Sequence, residues 1–372
     1  MLFNIKKSRA FIGLGLLGLL TLQACNKEFE DIPAGPTPPQ AGTGKTLQEL
    51  ITEDTTFSFL KRALDVAGTS VTGPLNSRAL NLTVFAPDNE AFRRSGIPSA
   101  AVFGSPLLDT ATTRSLVRYL IIPQALSTTG IPSATVTDGN LMPNFQYPSY
   151  LNPAPQLSPL LRLTTFPSRN GNQLYVNNIP VVAAPQQAAN GIIYRTAAVA
   201  APPSRSLYDI IVADTALDYL EAAIIRADSG RTTIAEQSII EIAKSIGANL
   251  TVFAPTDNAF RMFLNGMGLP ADESVIGMLP VNTVRGIVAY HVLTTRAFSV
   301  NMPTVLTPVK TFLNTVVPAH PGVTITTGFT GPFVTAFVVR GAGNQEDATV
   351  VAQDIHATNG VIHKINMVLL PQ

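Results

Sequence analysis

The chain has no tryptophan, one cysteine and four histidines in 372 residues. A lone cysteine excludes a disulfide framework within the chain, and with it a cysteine-rich zinc site. Charge is sparse as well. Only 13% of residues are charged, and 25 basic against 24 acidic side chains leave a formal net charge of +1. That balance supplies no field to draw nucleic acid or an acidic membrane surface, so no nucleic-acid partner is expected. Long apolar runs are also missing. Ala10 to Leu20 is the longest N-terminal one, and it falls short of the roughly 20 apolar residues that a spanning helix needs. What is present is a 46% hydrophobic content, ample for a core, with 29 Pro and 26 Gly. Those two imply many turns and loops rather than a long helical bundle.

The first residues read as an address. Lys6, Lys7 and Arg9 precede the apolar run, which has the length and flanks of a secretory signal over residues 1–24. Leu22-Gln23-Ala24-Cys25 resembles a bacterial lipobox. The resemblance implies cleavage before Cys25 and acylation of its thiol and new amino group, hence a membrane partner through a lipid anchor. Asn26 at the second mature position argues, by analogy with lipoprotein sorting, for the outer membrane. Lys27-Glu28-Phe29-Glu30-Asp31 resembles the acidic export signals of Bacteroidetes surface lipoproteins; a solvated charge run is the alternative. Residues 25–44 are rich in Pro and Gly, cannot build a core, and read as a stalk.

The remainder is one unit written twice. Asn81-Leu82-Thr83-Val84-Phe85-Ala86-Pro87 recurs as Asn249-Leu250-Thr251-Val252-Phe253-Ala254-Pro255, and Ala91-Phe92 as Ala259-Phe260 in the same frame. Upstream, Leu47, Leu50, Ile51, Asp54 and Leu60 match Leu207, Ile210, Ile211, Asp214 and Leu220. Downstream, Asn190-Gly191-Ile192-Ile193 matches Asn359-Gly360-Val361-Ile362. Two domains follow, 45–203 and 204–372.

Leu207 to Ile224 carries apolar residues at a three-to-four spacing, which predicts a helix or helix pair broken near Asp214-Thr215. Leu250 to Ala254 is short, apolar and β-rich, hence a buried strand ended by Pro255. A helix is expected from Ala259, and another over Val284 to Leu293. The tail reads as strands Thr349–Gln353 and Val361–Leu370, joined at Thr358-Asn359-Gly360, where Asn-Gly is expected to supply a positive φ. Strands and helices mix without regular βαβ alternation, so the fold class is α+β.

These landmarks resemble the fasciclin (FAS1) domain family. Its first conserved box is similar to Thr251 through Phe260, its second to Asn359 through Pro371, and its intervening Tyr-His pair to Tyr290-His291. The first repeat keeps the first box, has Tyr119-Leu120 at the pair, and retains only Asn190 to Arg195 of the second box. The resemblance implies, for each repeat, a seven-stranded β-wedge or sandwich packed with several helices. It also implies adhesion or extracellular binding, with Tyr290, His291 and the segment from Asn366 to Leu370 as candidate contact residues.

Chemistry is thinly signalled. His291, His320, His356 and His363 all lie in the second repeat, and His356 and His363 flank the proposed turn. Their counterparts in the first repeat include Leu120 and Tyr194, which favours packing over a metal site. No Gly-x-Ser-x-Gly, phosphate-cradling glycine loop or dinucleotide fingerprint occurs, so no catalytic residue, cofactor or metal is expected. Phe145, Tyr147 and Tyr150 lie among prolines in the first repeat. They form either a platform for stacking sugar rings or a plug onto their own domain. The expected function is a non-catalytic surface lipoprotein that binds an extracellular protein or glycan. The alternative is an accessory glycan-binding lipoprotein of an outer-membrane nutrient-uptake system.

Overall fold

The computed structural model describes residues 44–133, 136–137, 139–141 and 146–372. The signal segment, Cys25, nearly all of the stalk and Phe145 lie outside the described residues. Among the described residues no helix is long and apolar enough to cross a membrane.

The first repeat runs α1 (Leu47–Glu53), α2 (Ser58–Ala67), α3 (Thr69–Asn76), β1 (Leu82–Pro87), α4 (Asn89–Arg94), α5 (Thr110–Tyr119) and β2 (Ile121–Ile122). Short strands follow: β3 (Val136–Thr137), β4 (Asn140–Leu141), β5 (Tyr147–Pro148), β6 (Thr164–Thr165), β7 (Pro167–Asn170), β8 (Gln173–Val176) and β9 (Ile179–Pro180). Then β10 (Gln186–Ala188) and β11 (Gly191–Thr196) close the repeat. The second repeat runs α6 (Leu207–Val212), α7 (Asp218–Ala227), α8 (Ile239–Lys244), β12 (Leu250–Pro255), α9 (Asp257–Gly266), α10 (Val281–Tyr290) and β13 (Val292–Leu293). It ends with β14 (Thr307–Val309), β15 (Val323–Thr330), β16 (Phe333–Arg340), β17 (Ala348–Ala357) and β18 (Gly360–Ile365).

Local chemistry explains the shared starts. Thr46 and Glu49 form a reciprocal capping box at α1, and Ser206 and Asp209 form the same box at α6. The break expected near Asp214 separates α6 from α7. Asp88 caps α4 and Thr256 caps α9 through the backbone N–H three residues on. α10 ends at Tyr290, three residues before the expected Leu293, because His291 takes the C-cap and Val292 turns into a strand.

Each repeat is closed by a parallel pair between an early strand and its last one. β1 pairs with β11 from Leu82↔Gly191 to Pro87↔Thr196, and β12 with β18 from Leu250↔Gly360 to Pro255↔Ile365. β18 stops at Ile365, short of the expected Leu370. In the second repeat these strands belong to a seven-stranded sheet, ordered β13-β12-β18-β17-β16-β15-β14. The first repeat departs from the seven-stranded expectation. Among the described residues its strands divide into a four-stranded sheet, β10-β11-β1-β2, a three-stranded sheet, β7-β8-β9, and the pairs β3-β4 and β5-β6. Pro148, Pro153, Pro155 and Pro159 lie between β4 and β6, and proline cannot donate to a ladder.

The strands of the tail join at the expected turn, Thr358-Asn359 between β17 and β18, with Ala357 paired to Gly360, and Ala189-Asn190 likewise joins β10 to β11. Neither Asn359 nor Gly360 has a positive φ. Asn359 is buried and its amide is fully engaged. Its Oδ1 accepts from Leu207 N at 2.8 Å, and its Nδ2 donates to Ala243 O at 2.7 Å and Ser245 O at 2.9 Å. Asn190 makes the same three contacts, with Leu47 N at 2.8 Å, Leu75 O at 2.8 Å and Ser77 O at 3.1 Å. One side chain thus ties the first helix and the end of the third helical segment to the closing strand. The glycine is needed for close approach, because a Cβ on Gly360 would lie 2.5 Å from Leu250 O and 2.6 Å from Leu207 Cδ1.

The two repeats share a packed junction. Phe166 and Tyr175 of the first bury against Phe298, Val300 and Val361 of the second. Tyr175 Oη donates to Pro332 O at 2.9 Å and Asn301 Nδ2 to Ser168 Oγ at 2.8 Å. Leu141 enters the sheet-side core of the second repeat beside Phe253 and Tyr290.

Replacing Asn359 by Ala leaves one buried N–H and two carbonyls without this partner. The expected loss is about 3 kcal/mol, since an orphaned buried polar group costs about 1–3 kcal/mol. Urea denaturation checks it; an unchanged midpoint would show that the amide does not hold the helices to the strand.

Candidate functional site

The Tyr-His pair is interior. Tyr290 is fully buried, donates to Gly322 O at 2.5 Å and accepts from Ala342 N at 2.9 Å. His291 is 2% exposed. Its Nδ1 donates to Ile287 O at 2.8 Å and its Nε2 accepts from Leu369 N at 2.8 Å, which fixes the neutral tautomer. Its ring also borders an apolar cavity of about 40 Å³ among Ile211, Val252 and Val288. Burial pushes the His291 pKa from 6.5 down to about 4. The first repeat explains the pair. Tyr119 is buried like Tyr290 and donates to a carbonyl, Thr164 O, at 2.9 Å. Leu120 and His291 both offer a backbone carbonyl to the central strand, to Phe85 N at 3.0 Å and to Phe253 N at 2.9 Å. The pair packs the interior of the fold and presents almost no surface to a partner.

The other histidines are similarly engaged. His363 Nδ1 accepts from Asp354 N at 3.2 Å, and its Nε2 donates to Ala297 O at 3.1 Å. In the first repeat Tyr194 occupies this register position and donates to Leu126 O at 2.6 Å. Leu126 and Ala297 are themselves equivalent: each gives its N–H to the strand threonine, Thr83 or Thr251, at 2.8 Å. A phenol therefore does the work of the imidazole, and that work is donation to one carbonyl. His320 Nε2 donates to Pro371 O at 3.0 Å while its Nδ1 accepts from Gly322 N at 3.0 Å. These three rings have no free lone pair for a metal or a reacting proton. Among the described residues no group of three or more His, Cys, Asp or Glu could hold a metal ion.

Of the remaining candidates, Asn366 alone is exposed. Its N–H and Oδ1 pair with Thr349 O at 3.1 Å and Thr349 N at 2.7 Å. Tyr147 and Tyr150 are half-buried against the first repeat's core. Tyr150 N donates to Ile121 O at 2.9 Å, and burial raises its phenol pKa. The pair plugs the loop onto its own domain rather than presenting an open platform.

The junction holds residues that sequence reasoning passed over. Arg296 is 3% exposed and has no carboxylate partner among the described residues. Its Nη1 donates to His356 Nε2 at 3.0 Å, its Nη2 donates to Thr358 O at 3.0 Å, and its guanidinium lies 4.4 Å from the Phe166 ring centroid. Its Nε is buried without an acceptor. Burial pulls the Arg296 pKa down to about 10, and burial with the adjacent Arg296 charge holds His356 well below the ordinary histidine range. Asp354 has a left-handed φ of 62° and accepts from Ser299 N at 2.7 Å, Ser299 Oγ at 2.5 Å and Asn178 Nδ2 at 3.3 Å. The signal for Arg296 was a charge at the head of the buried run Arg296 to Met302, where the first repeat has Ala125.

Comparison with known proteins agrees with this architecture. The fasciclin domain model matches residues 55–202 and 231–371. The chain therefore belongs to the fasciclin domain family and carries two tandem fasciclin domains. Among solved structures it is similar to a FAS1 domain pair from the insect cell adhesion molecule Fasciclin I, at 18% identity and a TM-score of 0.36. That likeness covers 84% of this chain and 95% of the other. No curated protein matches the chain.

The histidines set an acid limit on stability. The unfolded chain takes up protons near 6.5, whereas His291 in the fold resists them down to about 4. Stability is therefore full above the unfolded value and falls as pH drops through that window. The slope from His291 alone is about 1.4 kcal/mol per pH unit. Urea denaturation between neutral and acid pH checks the slope, and His291→Leu should reduce it by the His291 share while His356 and His363 keep theirs.

Proposed function

We propose that the protein is a non-catalytic, lipid-anchored surface protein of a bacterial outer membrane that binds an extracellular protein or glycan. The observation that carries this reading is the pair of fasciclin domains packed on a shared junction, with His291, His320 and His363 held by backbone hydrogen bonds within the second domain. What remains for a partner is the outer surface. The lipobox-like Leu22 to Cys25, with the chain's only cysteine at its end, supports the anchor. The Pro- and Gly-rich stretch behind it supports a spacer that carries the domains away from the bilayer. Two or three acyl chains anchor far more firmly than one, at about 0.8 kcal/mol per buried CH₂.

Protease added to intact cells should degrade the protein, and a labelled fatty acid should be incorporated into it. Cys25→Ser should abolish the label and release the chain from the membrane fraction. Protection in intact cells with cleavage after lysis would exclude a surface role, and label retained by the variant would exclude the anchor.

A further inference from the structure

The first repeat contains a polar cleft of about 510 Å³ that no part of the preceding reading uses. That volume lies within the roughly 300–1,000 Å³ common to small-molecule sites. It is lined by Thr128, Thr129, Arg169, Asn172 and Leu174, with the segment from Val181 to Pro185 as its far wall. Arg169 is the one ionisable residue in this lining. It stands on β7, and its Nε is buried with no hydrogen-bond partner. Among the described residues its guanidinium has no carboxylate partner, and its backbone N–H donates to Pro132 O at 2.8 Å. A buried donor without an acceptor costs about 1–3 kcal/mol, and the planar guanidinium is the side chain best matched to a carboxylate.

The rest of the wall narrows the ligand. Thr128, Thr129 and Asn172 supply hydroxyl and amide groups, while Leu174 and the Ala183-Ala184-Pro185 stretch supply apolar patches. That mixture suits a sugar ring, which presents hydroxyls at its edge and C–H groups on its faces. An extended peptide would seek backbone pairing instead. It finds little here, because Val181 N already donates to Leu174 O at 2.8 Å and Val182 N to Arg195 O at 2.9 Å. Gln173 Nε2 is likewise held by Leu174 O and Val181 O, at 2.9 and 2.8 Å.

We infer that this cleft binds a uronic-acid saccharide, with Arg169 taking the carboxylate and the threonine and asparagine groups taking ring hydroxyls. The inference rests on the reading of the chain as a binding protein but not on its lipid anchor or its cell-surface location.

The test is calorimetric titration of the full-length protein in detergent. The probes are trigalacturonate, its methyl ester and a hexaglutamate peptide. Trigalacturonate should bind, and both esterification and Arg169→Gln should weaken binding by about tenfold or more, the scale of one lost charged hydrogen-bond pair. The melting temperature of the variant should match the parent, because the guanidinium has no hydrogen-bond partner among the described residues. Should the variant melt lower, the ester on the unaltered protein still decides. Absence of trigalacturonate binding at millimolar concentration overturns the inference. So does equal binding of acid and ester, or preference for the peptide. None of these outcomes bears on whether intact cells expose the protein to protease, so the two readings fail separately.

Discussion

The parallel contact between an early strand and the last strand of each repeat is the constraint on which the fold depends. A parallel pair cannot be closed by a tight turn, so everything between β1 and β11, or between β12 and β18, is the crossover that brings them together. The same few groups secure the contact in both copies. A buried asparagine holds the helices to the closing strand, a glycine lets the backbones approach, and a threonine in the central strand pins the following loop. A part-buried ion pair adds to it, Arg195 with Asp54 in one repeat and Lys364 with Asp214 in the other. Where these groups are retained the framework persists, even though the remaining strands of the two copies arrange themselves differently.

The interior polar groups follow from that framework rather than from any reaction. Pairing leaves particular carbonyls and N–H groups inside, and such groups must find partners. His291 answers Leu369 N and Ile287 O, and His363 answers Ala297 O and Asp354 N. The first repeat meets one of the same demands with Tyr194. A residue type that looks like chemistry in the sequence is here a means of satisfying backbone.

The repeats, the central strands, the capped helices and the family were legible because each rests on contiguous residues with a periodic or capping signature. The meaning of Asn-Gly was not. The dipeptide marks the turn between β17 and β18, but only the approach of Leu250 to Gly360 shows that it also serves a strand contact distant in sequence. The division of the first repeat's sheet was hinted at by its prolines but not fixed by them. Burial of Tyr290 was half legible from Ile287 and Val288 beside it. Arg296 and Arg169 were illegible for a simpler reason. Their significance lies in the partners they lack, and a missing partner is visible only when the whole neighbourhood has been assembled.

The strand order also sets when each domain can form. Leu82 meets Gly191, and Leu250 meets Gly360, only after the whole intervening chain has been made. Contacts so distant along the chain slow folding, because loop-closure entropy is lost before any pairing compensates it. A domain built this way stays open until its last strand has been made, so its earlier strands and helices wait, unclosed, for a partner that arrives at the end.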